Sequence, residues 1–300
     1  MKNLKIVFLS AICSTLFYSS CFGVSGAPVL SQTTGARAMG MGEAFTAISD
    51  DANAIYWNPS GMANMTKKEF SAMHLSGFVD NTYTSMAFAY PGSTLVFGGG
   101  VMMYDGGSFE LNTVSETKML KAQTDNLVVL SVAKKDFITG QSSAWNVGAS
   151  FKYLSSTLIE KYSANTYALD FGVLTKSEKT SVGFLIQNIG SGIMYFEETD
   201  PLPMNIRAGV AYKMQDSYLS DVTVSGEVVK PFEEEVKVHL GAEYWYAKLL
   251  ALRVGFKTGY SLESYTAGIG IHVTGYQFDM GFGPMGVLGN VNRISFTAKF

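Results

Sequence analysis

Three histidines, His74, His239 and His272, are the residues of this sequence best suited to moving protons. His239 and His272 share a polar face with Glu243 and several hydroxyl side chains. An imidazole beside a carboxylate on such a face would do hydrolysis. The remaining parts are missing. No Gly-x-Ser-x-Gly occurs, and no His-x-x-x-His or similar ligand spacing. Gly40-Met41-Gly42 is not a dinucleotide fingerprint, because no βαβ unit surrounds it. Cys13 and Cys21 both lie in or near an N-terminal leader, so a chain cut after Gly26 has no thiol left. The expectation is a non-enzyme without catalytic residues, cofactor or metal.

A larger set of charged residues falls on the same polar phase as the histidines: Asp170, Arg207, Glu227, Lys237, Arg253, Lys257, Asp279 and Arg293. Both signs are present. Mutual pairing, and pairing with Arg37, Asp50 and Asp51 further upstream, is expected ahead of selection of one ion.

The elements that carry these residues are strands. Arg293-Ile294-Ser295-Phe296-Thr297-Ala298-Lys299-Phe300 alternates polar and apolar to the last residue. Successive strand side chains point to opposite faces, so the segment has one oily and one polar side. The same rhythm places Trp145, Val147, Ala149, Phe151 and Tyr153 against Asn146, Gly148, Ser150 and Lys152. It places Leu250, Leu252, Val254 and Phe256 against Ala251, Arg253, Gly255 and Lys257. A helical period fits neither. Strands are expected near 68–77, 82–90, 93–103, 126–134, 144–154, 165–175, 179–189, 204–213, 219–229, 236–246, 249–258, 264–273, 276–283 and 292–300. That is about fourteen, each close to the length a tilted membrane-spanning strand needs.

Composition says which side is wet. Only 16% of residues are charged, against roughly 25% in soluble domains, while glycine (31) and aromatics (13%) are plentiful. A soluble sandwich would alternate too, but would show its polar face to water and need more charge. A net charge of −3 with no basic stripe argues against a nucleic-acid partner. Lys2 and Lys5, the apolar run Ile6 to Phe17, and the small residues Gly23, Ser25, Gly26 and Ala27 make residues 1–26 a secretory signal. A rival cut before Cys21 would give a lipoprotein, although Tyr18 fits that poorly. No later run is apolar and long enough for a membrane helix. An exported, apolar chain of this kind closes into an all-β, transmembrane antiparallel barrel, oily outside and wet inside. Tight connections such as Pro91-Gly92, Ala247-Lys248 and Thr274-Gly275 fall at one end; Tyr104 to Asp125, Ser155 to Ala164 and Gly190 to Pro203 form longer loops at the other. Tyr153, Tyr212, Tyr244, Trp245 and Tyr246, near strand ends, are read as interfacial girdle residues.

Residues 27–66 break the rhythm. Small residues dominate; Asp50-Asp51 would cap a short helix at 52–56, and Asn58-Pro59-Ser60-Gly61 is a turn. Too small for a core of its own, the segment belongs inside the barrel, residues 67–300, as a plug. Its motif residues are Gly35, Arg37, Gly40, Gly42, Asp50, Asp51, Trp57, Asn58, Pro59 and Gly61. Gly35-Ala36-Arg37-Ala38-Met39-Gly40-Met41-Gly42, Ser49-Asp50-Asp51-Ala52 and Trp57-Asn58-Pro59-Ser60-Gly61-Met62-Ala63 resemble the N-terminal hatch of FadL-type outer-membrane barrels and of the PorV/PorQ-like barrels that share their architecture. The Trp before Asn-Pro, Leu202 to Tyr212, and Glu243 to Tyr246 with Ala251 to Gly255 look more like the PorV side.

The resemblance implies a fourteen-stranded, plugged barrel in the bacterial outer membrane. FadL-type proteins release lipids sideways through a kink in the third strand, which here carries Gly98-Gly99-Gly100. Three glycines favour a bulge, or a close approach of the plug to the wall. The chain departs from those transporters in being shorter, with a polar 104–125 loop and no obvious oily groove there. Phe300 resembles the signal by which the outer-membrane barrel assembly machinery recognises its clients. The expected function is a channel or transporter for hydrophobic small molecules such as long-chain fatty acids, with lateral release. The alternative is a PorV-type docking or shuttle barrel for exported protein cargo, contacted by loops 104–125 and 190–203. Expected partners are outer-membrane lipid, the assembly machinery, and one of those two cargoes.

Overall fold

The computed structural model describes residues 26–77, 80–112, 116–139, 144–215, 220–262, 264–286 and 289–300. The expected signal segment and both cysteines fall outside these residues, apart from Gly26.

Fourteen strands close into one antiparallel barrel. In chain order they are β1 (Glu69–Ser76), β2 (Thr82–Pro91), β3 (Leu95–Asp105), β6 (Gln123–Thr139), β7 (Ala144–Leu158), β8 (Tyr162–Lys176), β9 (Thr180–Gly190), β12 (Asn205–Gln215), β13 (Asp221–Pro231), β14 (Lys237–Tyr246), β15 (Leu250–Thr258), β16 (Tyr265–Val273), β17 (Tyr276–Pro284) and β18 (Asn290–Lys299). Each pairs with its neighbour in sequence, and β18 returns to β1. Closure removes every free edge, which hydrocarbon demands. Two short hairpins are not part of the wall ladder: β4 (Ser108–Asn112) with β5 (Thr117–Lys121), and β10 (Ile193–Met194) with β11 (Thr199–Asp200), whose Ile193 is buried in one cluster with Ala27, Val29 and Leu30.

The rhythm read from the sequence is the inside–outside rhythm of the wall. On β15, Ala251, Arg253 and Lys257 are buried while Leu250, Leu252, Val254 and Phe256 are exposed. Short connections gather at the end bearing Phe300, whose amide donates to the Lys68 carbonyl at 2.9 Å. By the usual asymmetry of such barrels that end is periplasmic.

Three expectations need correcting. The bore is not uniformly wet. Along β2, β3, β6 and β7 the inward face is apolar as well, with Ala87, Val96, Met102, Leu127, Val129 and Leu154 buried against Ile55, Met62 and Met65. The 104–125 and 155–164 loops are largely strand: β6, β7 and β8 run 17, 15 and 15 residues, and 159–161 is a tight turn. Their outer ends, such as Ser155-Ser156-Thr157, are polar on both faces once clear of lipid, so the alternation that marks a strand fades there. Trp245 is not a girdle residue. It lies on the inward phase of β14, with the Arg253 guanidinium 5.6 Å from its ring and His272 edge-on at 6.4 Å.

Candidate functional site

Residues 26–66 lie inside the barrel and are almost wholly buried. Four short turns of helix carry them: Pro28–Ser31, Ala36–Gly40, Ala54–Trp57 and Pro59–Asn64. Ala36–Gly40 packs on β15 to β18, and Pro59–Asn64 on β6 to β8. The short helix starts at Ala54 rather than 52, and no carboxylate caps it. Asp51 instead accepts the Asn53 amide at 2.9 Å. Asn58 does not simply turn the chain. Its Oδ1 accepts the Ser60 amide (3.2 Å) and hydroxyl (2.6 Å), capping Pro59–Asn64, while its Nδ2 donates to the Thr46 carbonyl.

Small residues are needed where backbone meets backbone. Gly42 has φ +62°, and its amide donates to Thr266 Oγ1 at 3.0 Å. A Cβ there would stand 2.6 Å from the Leu240 carbonyl oxygen, and a Cβ on facing Gly255 would overlap the Gly42 amide. This contact explains Gly42 of the motif, and Gly40 faces the Gly268 Cα, 3.0 Å from where its own Cβ would stand. Trp57 fills the centre. Its indole donates to the Thr34 carbonyl (2.9 Å), Phe45 tilts against it, and the Arg207 guanidinium lies 4.7 Å over the ring.

Charge fastens the segment to one half of the wall. Arg37 meets Asp50 (2.6 Å) and Glu243 (2.9 Å); Glu243 also takes Arg253 (2.7 Å), and Arg253 reaches Asp279 (2.8 Å). Asp51 is further from Arg37, at 3.7 Å, and burial raises its pKa. Glu227 accepts the Phe45 and Thr46 amides while paired to Arg207 at 2.6 Å. Glu43 takes the Thr33 hydroxyl at 2.6 Å, Lys257 at 3.3 Å and Arg293 at 3.9 Å. Burial alone would raise the Glu43 carboxyl, but Lys257 and Arg293 outweigh it and hold it well below the usual range. His239 bonds the Glu43 carbonyl and the Tyr260 hydroxyl, and is thus a wall residue holding the segment. His74 bonds Thr84, and His272 faces Trp245, so the three imidazoles are not brought together.

Sequence reasoning passed over Glu43 and Asn188. Asn188 sits at φ +60° in a bulge where the β8–β9 register shifts. Its amide donates to Asp170, its side chain accepts from Lys152 at 2.8 Å, and its Nδ2 donates to the carbonyls of Leu30 (3.2 Å) and Pro203 (3.0 Å). The signal was there: Gln187 and Asn188 are consecutive polar residues in an alternating strand.

The bulge expected at Gly98-Gly99-Gly100 is absent. Both ladders of β3 run through the three glycines without a shift, pairing them to Ala89, Phe88 and Ala87 on one side and to Ser131, Leu130 and Val129 on the other. Gly98 and Gly100 face inward, where a Cβ would stand 2.6 Å from Ile55 Cγ2 and from Tyr56 Oη respectively; Gly99 faces outward, where a Cβ would meet nothing nearer than Leu130 Cδ2 at 3.8 Å. The glycines admit the segment to the wall.

Two cavities flank the segment. The outer one, about 710 Å³, is lined by Met39, Trp57, Leu75, Tyr83, Tyr260 and Tyr265 among others, with Glu43, Lys257 and Arg293 also bordering it. The periplasmic one, about 360 Å³, is bordered by Arg37, Asp50, Lys176, Lys179, Trp245 and Lys299.

A closed fourteen-strand antiparallel barrel with an apolar outer face is an outer-membrane β-barrel of bacteria. Its fold is that of the FadL type. The toluene transporter TbuX of Ralstonia pickettii superposes with a TM-score of 0.62 at 15% identity, covering 89% of this chain and 98% of that one. The monoaromatic hydrocarbon channel CymD gives 0.59 at 14%, covering 89% and 97%. A FadL homologue of Pseudomonas aeruginosa gives 0.51 at 9%, covering 90% and 98%. At these identities the likeness is one of fold. In sequence, residues 22–154 match an uncharacterised protein family, UPF0164. A UPF0164 protein of Treponema pallidum (strain Nichols) is 29% identical over 127 residues, 40% of this chain, and the match spans under a third (31%) of that relative's length.

Proposed function

We propose that the chain is a channel for hydrophobic small molecules, with residues 27–66 as its plug and the outer cavity as the compartment a solute enters first. The observation that carries this reading is that cavity: about 710 Å³, ending on the segment, with aromatic and Met side chains such as Trp57, Tyr83, Met39 and Met204 interleaved with charged ones such as Arg207, Lys237 and Glu233. It is within the size range of small-molecule sites. Apolar solutes would enter by leaving water. Barrels of the same fold include a toluene transporter and a monoaromatic hydrocarbon channel, which supports the reading. Long-chain fatty acids are the second solute class to try. Release sideways near Gly98 to Gly100 requires Ile55 and Met62 to withdraw, leaving wall positions without side chains.

The test is uptake of labelled toluene and of a labelled long-chain fatty acid by vesicles holding the full chain. Faster uptake of either than in empty vesicles is expected, and no acceleration of any apolar solute defeats the proposal. Gly99→Val, which the fold accommodates, should slow release; unchanged uptake in that variant removes the side exit alone.

A second reading, handling of exported proteins, draws on the β4–β5 hairpin, where Phe109, Leu111 and Met119 are exposed above the wall. Recovery of secreted proteins with the wild type, and their loss when residues 108–121 are replaced by a short linker, would favour it.

A further inference from the structure

The two ends of the barrel carry opposite charge. At the long-loop end Glu110, Glu116, Glu160, Glu197, Glu198 and Glu234 are exposed, with Lys118, Lys121 and Lys161 the exposed lysines there among the described residues. At the periplasmic end Lys67, Lys68, Lys134, Lys176 and Lys179 are exposed, with Asp136 and Glu178 the exposed carboxylates there among the described residues. Lys67, Lys68 and Lys134 have no carboxylate partner among the described residues.

One arc of this end, across β1, β2, β3 and β6, is built for a particular surface. Lys68 Nζ lies 4.9 Å from the centre of the Tyr90 ring, and Lys134 Nζ 5.2 Å from that of Phe137. Both rings are about half exposed, Tyr90 at 47% and Phe137 at 54%. The exposed side chains of Phe88, Leu95, Phe97 and Val132 continue the arc into the apolar band. An aromatic ring at the lipid–water boundary with an ammonium beside it matches the order of acyl chain, glycerol and phosphate in a leaflet. Lys68, Tyr90 and Lys134 lie on the outward phase, which places lipid against them, and Phe137 is exposed just beyond, where the β6–β7 register shifts.

We propose that this arc is a binding site for anionic phospholipid of the periplasm-facing leaflet, with one headgroup phosphate at Lys68 and another at Lys134. Three strand spacings separate the two lysines, roughly 14 Å, too far to share a single phosphate. The two phosphates come from neighbouring lipids or from one lipid with two. The long-loop end offers a contrast. There Lys161 lies 5.0 Å over Tyr162 with Glu160 beside it and Phe196, followed by Glu197 and Glu198, against the ring, so that several carboxylates outnumber Lys118 and Lys121, whereas Asp136 alone stands near the Lys134 pair. A phosphate is disfavoured at that pair.

The fold supplies a reporter. Trp145 faces outward on β7 and pairs in register with Ile138, next to Phe137. Trp57 and Trp245 lie inside the barrel. Quenching of tryptophan emission by phospholipid brominated near the headgroup therefore reads the lipid at this arc, and W145F should remove the quenching. In mixed vesicles the wild type is expected to prefer brominated phosphatidylglycerol over brominated phosphatidylcholine, roughly fivefold for each lysine engaged. K134Q should reduce that preference, and K68Q/K134Q should bring it to about one, while K161Q leaves it unchanged. Heat-dependent gel mobility verifies that each variant is folded. No preference in the wild type, or an unaltered preference in the folded double variant, overturns the proposal. So does loss of preference on adding inorganic phosphate at constant ionic strength, which would mark a site for free anions.

Discussion

Arg37 and Glu243 meet in a two-pronged pair, Nε to Oε2 and Nη2 to Oε1, each at 2.9 Å. One partner belongs to the N-terminal segment and the other to the wall strand β14. The pair is thus a joint between what fills the barrel and what encloses it.

Breaking that joint from one side should be costly. Arg37→Ala leaves Glu243 and Asp50 short of a partner, a loss of about 3–5 kcal/mol for a buried pair. The segment should loosen while the wall survives. Planar-bilayer recordings should show larger or noisier currents than the wild type, and a cysteine placed at Met41 should become reactive to a thiol reagent. Quiet channels and an unreactive cysteine would mean the segment is held elsewhere.

A contrast among glycines tests the close approach. Gly148→Ala drives a Cβ into the backbone of Pro59 and Ser60, and Gly255→Ala into that of Gly42. Overpacking of this kind costs about 1–3 kcal/mol or more. Gly99→Ala meets no atom nearer than 3.8 Å. The first two should lower the temperature of the heat-dependent mobility shift and the third should not. Equal effects from all three would show that strand propensity, rather than contact with the segment, sets the requirement.

Asn188 serves the N-terminal strap in a way its neighbours cannot. Asn188→Gly keeps the left-handed conformation but gives up the bonds to Leu30 and Pro203. Hydrogen exchange should quicken across residues 26–33 and leave the β12–β13 ladder protected. Asn188→Ala should be worse, because it adds strain at a positive φ. The reverse order would contradict this account.

Acidity should act through Glu43. Its carboxyl titrates below the ordinary range in the folded chain, so its contribution is fully present above the unfolded value, near 4.3, and fades as pH falls toward the depressed one. Asp51, raised by burial, takes up its proton first but stands 3.7 Å from an Arg37 that keeps Asp50 and Glu243, so the main rise in bilayer current should come only under stronger acid, when Glu43 is protonated. Glu43→Gln should show raised current already at pH 7. An opening of the wild type at pH 6 would assign the sensitivity to another group.

The wall was legible because lipid enforces a two-residue rhythm wherever it touches a strand. Leu250 to Thr258 shows it on both faces. The rhythm ends where lipid ends, which is why Ser155-Ser156-Thr157 reads as loop yet forms the top of β7. The inner contacts were half legible. Lone charges such as Arg253 and Asp279 announce that partners exist, but only the register of β14 to β17 says which. Gly98 to Gly100 illustrates the limit. A glycine run marks either a weak ladder or a close neighbour, and here Ile55, Tyr56 and Met62 decide for the neighbour.

Pairing of the last strand with the first fixes an order of events during biogenesis. The seam between β18 and β1, finished by the bond from Phe300 to Lys68, cannot zip until β18 has been delivered. Residues 26–66 approach the wall as closely as Gly42 approaches Gly255, so seating them before the seam zips spares these backbones from being forced past one another. Filling ahead of closure is the order this contact favours.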